Sequence, residues 1–157
     1  MNAPKIPLLS LLLLISSLAC AQEWPVYGGD NGNRKFSPLD QINAGNVASL
    51  RAAWSWDSVD NATVAANQAG GNATAVPAAY KGTPIVVDGV MYLSTSFGRI
   101  VALDPVSGAQ RWVFDTRAWE AGNPMNLGYN TRGVAYWEKG DKKRLFFPTY
   151  DAWQVGS

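Results

Sequence analysis

Short, mainly apolar runs bounded by turn residues recur over residues 83–115, and they predict β-strands. The dipeptide Asp88-Gly89 separates the first two runs and favours the two-residue turn of a β-hairpin. We therefore expect four antiparallel strands joined by short turns, which together form one complete blade. The predicted strands span residues 83–87, 90–94, 100–103 and 111–115.

The connection between the third and fourth predicted strands has a distinctive sequence. From Ala102 to Trp112 it reads A-x-D-x-x-S-G-x-x-x-W. Gly108 can adopt the positive φ of a tight turn, and the side chains of Asp104 and Ser107 can bond the turn backbone. The spacing suits a sheet whose Trp112 docks against a neighbouring sheet through the gap that Ala102 leaves. Periodic glycine and aromatic turns of this kind are typical of β-propeller blades, so we predict an all-β fold.

The segment before this sheet is less regular. Residues 22–47 are polar and rich in turn residues, and Trp24, Tyr27 and Phe36 are the predicted anchors of this segment. The run Leu50–Trp56 alternates and predicts a further strand.

The other segments predict a loop and the start of a second blade. Residues 57–80 are mostly Asn, Ala, Gly and Thr, so we expect a long loop without helix there. Residues 133–157 predict the second blade, with strands at 133–137 and 145–149 around a turn over 138–143. Together, residues 22–157 are interpreted as part of a propeller.

The N-terminus has the pattern of an export signal over residues 1–21. Lys5 supplies the positive charge, and Leu8–Leu18 is an apolar run too short to span a membrane. Ala19-Cys20-Ala21 then fits a cleavage site, which predicts a periplasmic protein. Lipidation of Cys20 is the alternative, and we expect membrane association only in that case; Ser17 stands where a lipidation site prefers Leu.

Composition narrows the chemistry. The 157 residues carry a formal net charge of +1, without the basic excess that binding to nucleic acid requires. There is no histidine, which excludes histidine-based zinc sites, catalytic triads and haem attachment motifs in this segment. Seven tryptophans predict many packed indoles. The chain also ends soon after a predicted strand, as expected for the front part of a longer repeat array.

In order and spacing, four parts of the sequence resemble the N-terminal portion of the pyrroloquinoline quinone (PQQ)-dependent dehydrogenases. The resemblance implies an eight-bladed propeller, of which this chain would hold about one complete blade and parts of two others. The matching segments are 23–50 (through Glu23, Trp24, Gly28, Phe36-Ser37 and 42–50), Thr83–Tyr92, Ala102–Trp112 and Arg132–Trp137.

The resemblance implies a cofactor and several binding residues. Such enzymes oxidise an alcohol or a sugar with PQQ and calcium and pass the electrons to a quinone or a cytochrome. Arg132 matches the family arginine that pairs with a PQQ carboxylate, and a guanidinium suits that task because it binds carboxylate with two parallel bonds. Lys81 stands where many members have Glu or Gln near PQQ. Asn130 and Thr131 precede Arg132 and are expected to line the pocket, or to form a turn instead.

The resemblance also has limits. Alcohol-oxidising members often carry two adjacent cysteines, joined by a disulfide, at the positions of Asn126 and Leu127. This disulfide cannot form here. The family base and calcium ligands belong to later blades. No catalytic or metal-ligating residue is therefore assigned. Carboxylates such as Asp57, Asp60 and Asp115 are not expected to act as the base or as calcium ligands.

Three functional hypotheses follow. The first is an oxidoreductase, the front part of a periplasmic PQQ-dependent dehydrogenase. The second is a non-catalytic propeller that scaffolds outer-membrane protein assembly; it would lack the Trp24–Gly28 and Arg132-Gly133 segments. The third is a truncated product without activity of its own. For the isolated chain we expect no turnover, because most of the ring is missing.

Overall fold

Two antiparallel sheets form the framework of the protein in a computed structural model, which describes residues 22–71, 76–77, 80–124, 128–150 and the backbone of 154–156. In the first sheet four strands follow one another in chain order, as the sequence predicted, and the second sheet has three. The first comprises β1 (Ile85–Val87), β2 (Val90–Ser94), β3 (Arg99–Leu103) and β4 (Gln110–Asp115); the second comprises β5 (Ala135–Lys139), β6 (Lys142–Pro148) and β7 (Gln154–Gly156).

The hairpin turns have the geometry that their residues favour. Asp88 and Gly89 adopt φ of 51° and 67°, the left-handed pair that a two-residue hairpin turn requires. In the second sheet, β5 and β6 continue further than predicted, and only Gly140 and Asp141 separate them. The predicted turn over 138–143 is therefore wrong at both ends, because register pairing extends to Lys139 and Lys142.

The core lies on both faces of the first sheet. On one face, Ile85, Val87 and Ile100 pack against Leu145 and Phe147 of the second sheet. The opposite face presents three buried side chains, which contact two indoles that precede the sheet in the chain. These residues are Leu93, Val101 and Leu103, with Trp54 and Trp56 packed on them.

The predicted strand over Leu50–Trp56 is wrong, because none of these residues belongs to a strand. The alternation instead reflects contact with the face of a sheet: Trp54 and Trp56 are half-buried against it, while Ala53 and Ser55 between and before them are exposed. The alternating pattern therefore indicates which side chains are buried. Here they are buried against the first sheet although the backbone of this segment does not pair with a strand.

The docking indole at the predicted turn is Trp54 rather than Trp112. A Cβ atom on Gly108 would lie 2.5 Å from the Trp54 ring, and the Trp54 indole N–H donates to the carbonyl of Pro105 at 3.2 Å. Trp112 pairs across the strands with Ala102, contacts Tyr92 of its own sheet and remains 41% exposed. The prediction that Trp112 docks on a neighbouring sheet is therefore wrong for the sheets that the structure describes.

The expected loop over 57–80 contains a helix, α1 (Asp60–Ala69). The expectation failed because the segment has little apolar periodicity, yet alanine supports helix and a tertiary contact fixes the first turn. The Asp60 amide donates to the Ser58 hydroxyl at 3.2 Å, and the Asp60 carboxylate is buried against the first sheet. Tertiary contacts of Asp60, and of Val64 with Phe97 and Tyr129, thus override a weak helical pattern.

The N-terminal segment attaches to the first sheet through Glu23 and Trp24. The Glu23 carboxylate accepts from the amides of Asp88 and Gly89 at 3.0 and 3.2 Å. Trp24 forms an antiparallel bridge with Val86, with backbone bonds of 2.8 and 2.9 Å. Tyr27 and Phe36 are mostly exposed, so their predicted role as anchors is wrong in this structure. The signal segment 1–21 lies outside the described residues. Within the described part of the chain, no helix has the length and apolarity needed to cross a membrane.

Candidate functional site

The segments that enter β1 and β5 lie side by side. Thr83 and Gly133 form a parallel bridge, and the Thr83 amide donates to the Arg132 carbonyl at 3.4 Å. A second parallel bridge joins Pro77 to Tyr129. We call the residues 81–83 and 130–133 the junction, since they connect the entries of the two sheets. The junction brings Lys81, Asn130, Thr131 and Arg132 to one end of the structure.

Gly133 is required for this close approach. Its φ is +127°, and a Cβ atom there would lie 3.0 Å from the Thr83 carbonyl oxygen. A side chain would therefore be strained and would also push the Thr83 backbone away. The glycine after Arg132 has a structural explanation, which is that it lets the two segments touch.

Arg132 and Lys81 are the two cations of the junction, and both are exposed. Among the described residues, neither side chain has a hydrogen-bond or ion-pair partner. Arg132 differs in this respect from Arg99, Arg111 and Arg117, each of which binds a carboxylate within the chain. Two positive charges thus face solvent at one edge, which suits a ligand with several carboxylates.

Thr131 is buried behind Arg132, with 7% of its surface exposed. Its hydroxyl lies 2.8 Å from the Ser94 hydroxyl and donates to the Thr95 carbonyl at 3.2 Å. A hydroxyl has one proton and two lone pairs, so these contacts leave one acceptor position of Thr131. Its contact with a cofactor stays a prediction.

Asn130 is half-buried, and its side-chain amide donates to the Gly128 carbonyl at 3.5 Å. This contact is of the turn-forming type that the sequence offered as an alternative to a pocket role. Asn126 and Leu127, which stand at the positions of the family's adjacent cysteines, lie outside the described residues.

A buried ion pair beside the junction was not foreseen. Asp60 of α1 and Arg99 of β3 lie 2.7 Å apart with side chains 4% and 8% exposed. The Asp60 carboxylate also accepts from the Thr95 hydroxyl at 2.8 Å and from the Phe97 amide at 2.9 Å. Arg99 also binds Asp115 at 2.9 Å. The available signal was Arg99 itself, because a charged residue at the start of the apolar run Arg99–Leu103 needs a buried partner.

An aromatic cluster packs beside this ion pair. The rings of Phe97 and Tyr129 are 4.7 Å apart and meet edge to face, and Tyr150 approaches Tyr129 in the same way at 5.9 Å. Burial raises the pKa of Tyr150, whose hydroxyl donates to the Ser96 carbonyl. Tyr150 therefore stays protonated and structural over the ordinary pH range.

A cleft on the other face of the first sheet is a poor match for an anionic cofactor. It measures about 460 Å³ and lies between the Trp54–Trp56 segment and the face of β2 and β3. Most of its lining is apolar, and its charged residue is Asp60, an acid. No Lys or Arg lines it, so we place the candidate cofactor contact at the junction instead. The described residues also contain no cluster of three or more acidic or thiol side chains that could hold a metal ion.

Comparison with known proteins identifies what this arrangement is similar to. Residues 24–155 match the PQQ family described as glucose/ethanol/alcohol dehydrogenase, beta-propeller domain. The chain is 33% identical over 132 residues to the dehydrogenase subunit of the quinone alcohol dehydrogenase of Gluconobacter oxydans, covering 82% of this chain and 14% of that protein. It is 37% identical over 117 residues to the quinoprotein glucose dehydrogenase of Escherichia coli, covering 74% and 13%.

Solved structures agree with the sequence matches. The quinohemoprotein alcohol dehydrogenase of Comamonas testosteroni superimposes with a TM-score of 0.61 at 29% identity, covering 85% of this chain and 17% of that one. The partial β-propeller predicted from the sequence is therefore confirmed, as is the resemblance on which it partly rested. This chain spans only about a seventh of the length of the curated relatives it matches.

Proposed function

The chain belongs to the β-propeller family of PQQ-dependent glucose, ethanol and alcohol dehydrogenases, and from this premise we propose that it is the front part of a periplasmic enzyme of this type. That enzyme oxidises an alcohol or a sugar and passes the electrons to a quinone or a cytochrome. Export rests on the signal pattern of residues 1–21. The relatives named above are dehydrogenases, so nothing favours the scaffold alternative.

The observation that carries the proposal is the pair of unpartnered cations at the junction. Arg132 and Lys81 are exposed on neighbouring segments. PQQ has three carboxylates, and its chemistry, when it is bound, is the acceptance of two electrons from the substrate carbon. In this proposal Arg132 holds one carboxylate through two parallel bonds, Lys81 contributes a point charge, and Thr131 and Asn130 shape the edge behind them.

The isolated chain is proposed to be inactive. Calcium, the general base and the remaining wall of the cofactor site belong to parts of the propeller outside this chain. The first test is fluorescence titration of residues 22–157 with PQQ and calcium. We expect no saturable micromolar binding, and such binding would contradict the inactivity of the isolated chain.

A chimaera tests the cofactor role directly. Residues 24–155 would replace the matching stretch of the Comamonas testosteroni quinohemoprotein alcohol dehydrogenase, to which this chain is 33% identical over 129 residues. We expect the chimaera to bind PQQ and to oxidise alcohol. Arg132→Gln should raise the Kd for PQQ about tenfold to a hundredfold, the cost of a lost charge-assisted contact.

The matched control is Arg144→Gln. Arg144 is also an exposed arginine, but it lies on β6, so its loss should leave the Kd for PQQ unchanged. Equal effects of the two substitutions would contradict the assignment of Arg132. A folded chimaera that fails to bind PQQ would contradict the proposed function as a whole.

A further inference from the structure

We propose that Ser94 is a positioning residue for Arg132 and, through the Thr131 hydroxyl, sets the affinity of the junction for a polycarboxylate cofactor. The inference deepens the proposed function and rests on it. Ser94 is the last residue of β2, so it belongs to the rigid part of the first sheet. It touches Thr131, the residue immediately before the candidate binding arginine.

The two hydroxyls are in short contact, and both residues are buried. Ser94 is fully buried and lies 2.8 Å from the Thr131 hydroxyl. Thr131 also donates to the Thr95 carbonyl at 3.2 Å. Two consecutive residues at the end of β2 therefore hold the Thr131 side chain from the protein interior.

The backbone after Thr131 is held from the other side. The Arg132 carbonyl accepts from the Thr83 amide at 3.4 Å, and Gly133 packs against the Thr83 carbonyl. Residues 131, 132 and 133 are thus each fixed by a different contact, and the Arg132 side chain is the part left in solvent. When the backbone of Arg132 is already ordered, its guanidinium loses less conformational entropy on binding a ligand. This strengthens binding without adding a contact.

The end of β2 is itself anchored. The Thr95 hydroxyl donates to Asp60 at 2.8 Å, and Asp60 is paired with Arg99. A chain of buried polar contacts therefore runs from α1 through residues 95 and 94 to Thr131. Removal of the Ser94 hydroxyl takes away the link in this chain that is closest to Arg132 while leaving the ion pair in place.

The first test uses the chain alone and no cofactor. In Ser94→Ala we expect the Thr83 amide, which bonds to the Arg132 carbonyl, to exchange with deuterium about tenfold faster, the effect of one lost buried hydrogen bond. Ser94→Thr retains the hydroxyl and should restore slow exchange. Ser96→Ala is the control, because Ser96 is also buried but its hydroxyl has no hydrogen bond among the described residues. Unchanged Thr83 exchange in Ser94→Ala would overturn the inference.

The second test uses the chimaera. Ser94→Ala should raise the Kd for PQQ about tenfold, with rescue by Ser94→Thr, while kcat at saturating PQQ stays within about twofold. A residue that only maintains the fold would change kcat and thermal stability together and would show no rescue of the Kd. If the parent chimaera fails to bind PQQ, the proposed function is wrong. If it binds and Ser94→Ala binds equally well, the positioning role alone is wrong.

Discussion

The two sheets differ in how many of their faces are covered. The first sheet is packed on one face by the second sheet and on the other by Trp54 and Trp56. All five residues of β3 are buried as a result. Among the described residues, the second sheet is covered on one face only, and in β6 just Leu145 and Phe147 are buried.

The difference shows in the sequences of the strands. β3 reads as an unbroken apolar run after Arg99, whereas β6 begins Lys-Lys-Arg, and burial alternates within its apolar residues because Phe146 is only half-buried between Leu145 and Phe147. Continuous apolar runs are typical of strands covered twice, and alternation is typical of strands covered once. In this chain the Trp54–Trp56 segment covers the second face, so both faces of the first sheet are packed.

The ion pairs provide the largest expected contrast. Asp60→Ala should lower the free energy of unfolding by about 3 kcal/mol, because it leaves Arg99 buried with one partner fewer. Lys143→Ala removes the pair with Asp88 between the sheets, where both side chains are more than half exposed, and should have a much smaller effect. Urea unfolding followed by circular dichroism measures both. Similar shifts in midpoint would show that burial does not distinguish the two pairs.

Truncation of one apolar side chain in each sheet sharpens the comparison. Leu103→Ala should cost about 3 kcal/mol, since Leu103 is 1% exposed beneath Trp54 and Trp56. Trp137→Ala removes a larger side chain but should cost only about 1 kcal/mol, because Trp137 is 41% exposed on the open face. The same unfolding assay applies. A greater loss from Trp137 would mean that the second sheet has a cover that the described residues do not reveal.

The turn glycines isolate the contribution of the Trp54 cover. Gly108 and Gly140 both have positive φ, +72° and +57°. Gly108→Ala should cost about 3 kcal/mol, from backbone strain together with collision with the indole. Gly140→Ala meets open space and should cost about 1 kcal/mol from strain alone. In Trp54→Ala the two alanine substitutions should become equal; a persistent difference would contradict the role of the indole.

The smallest effects are those of pH. The Arg111 guanidinium and the amide and hydroxyl of Ser107 hold the pKa of Asp104, in the turn of the first sheet, below its ordinary value. This contribution is present above about pH 4 and is lost as the pH falls toward the lowered pKa. Asp88 raises the pKa of Lys143, so the tie between the sheets is present below about pH 10 and is lost as the pH rises through the raised value.

Two variants test which ion pair causes each of these two pH dependences. Asp104→Asn should flatten the acid side of a plot of unfolding midpoint against pH and leave the alkaline side unchanged. Lys143→Met should do the reverse. The Asp104 side chain is partly exposed and the Lys143 side chain more than half exposed, so salt screens both ion pairs and both pH dependences should shrink at high ionic strength. A change of the alkaline side in Asp104→Asn, or of the acid side in Lys143→Met, would contradict this explanation.

Local chemistry accounts for the parts of the fold that were predictable. Asp88-Gly89 and Gly108 determine their turns through positive φ, and the strands of the first sheet follow within one or two residues. The helix α1 was missed because its stability comes from a contact between Asp60 and Arg99, which are 39 residues apart. Sequence pattern alone carries no information about such a pair until both elements are placed.

The site divides in the same way. Arg132 and Lys81 were identified by resemblance, and their cofactor contacts remain predictions. The bridge between Thr83 and Gly133, which brings them to one edge, joins residues far apart in the chain and has no local signal except the glycine. Ser94 was not considered at all, since a serine at the end of an apolar strand looks like any strand terminus until its hydroxyl partner is known.

The position of Trp54 has a consequence for how the protein is made. A ribosome releases the chain from its N-terminus, so Trp54 and Trp56 have emerged before the turn at Gly108 on which Trp54 rests. Both indoles that cover this face are therefore already present in the chain when the last strand of the first sheet is added.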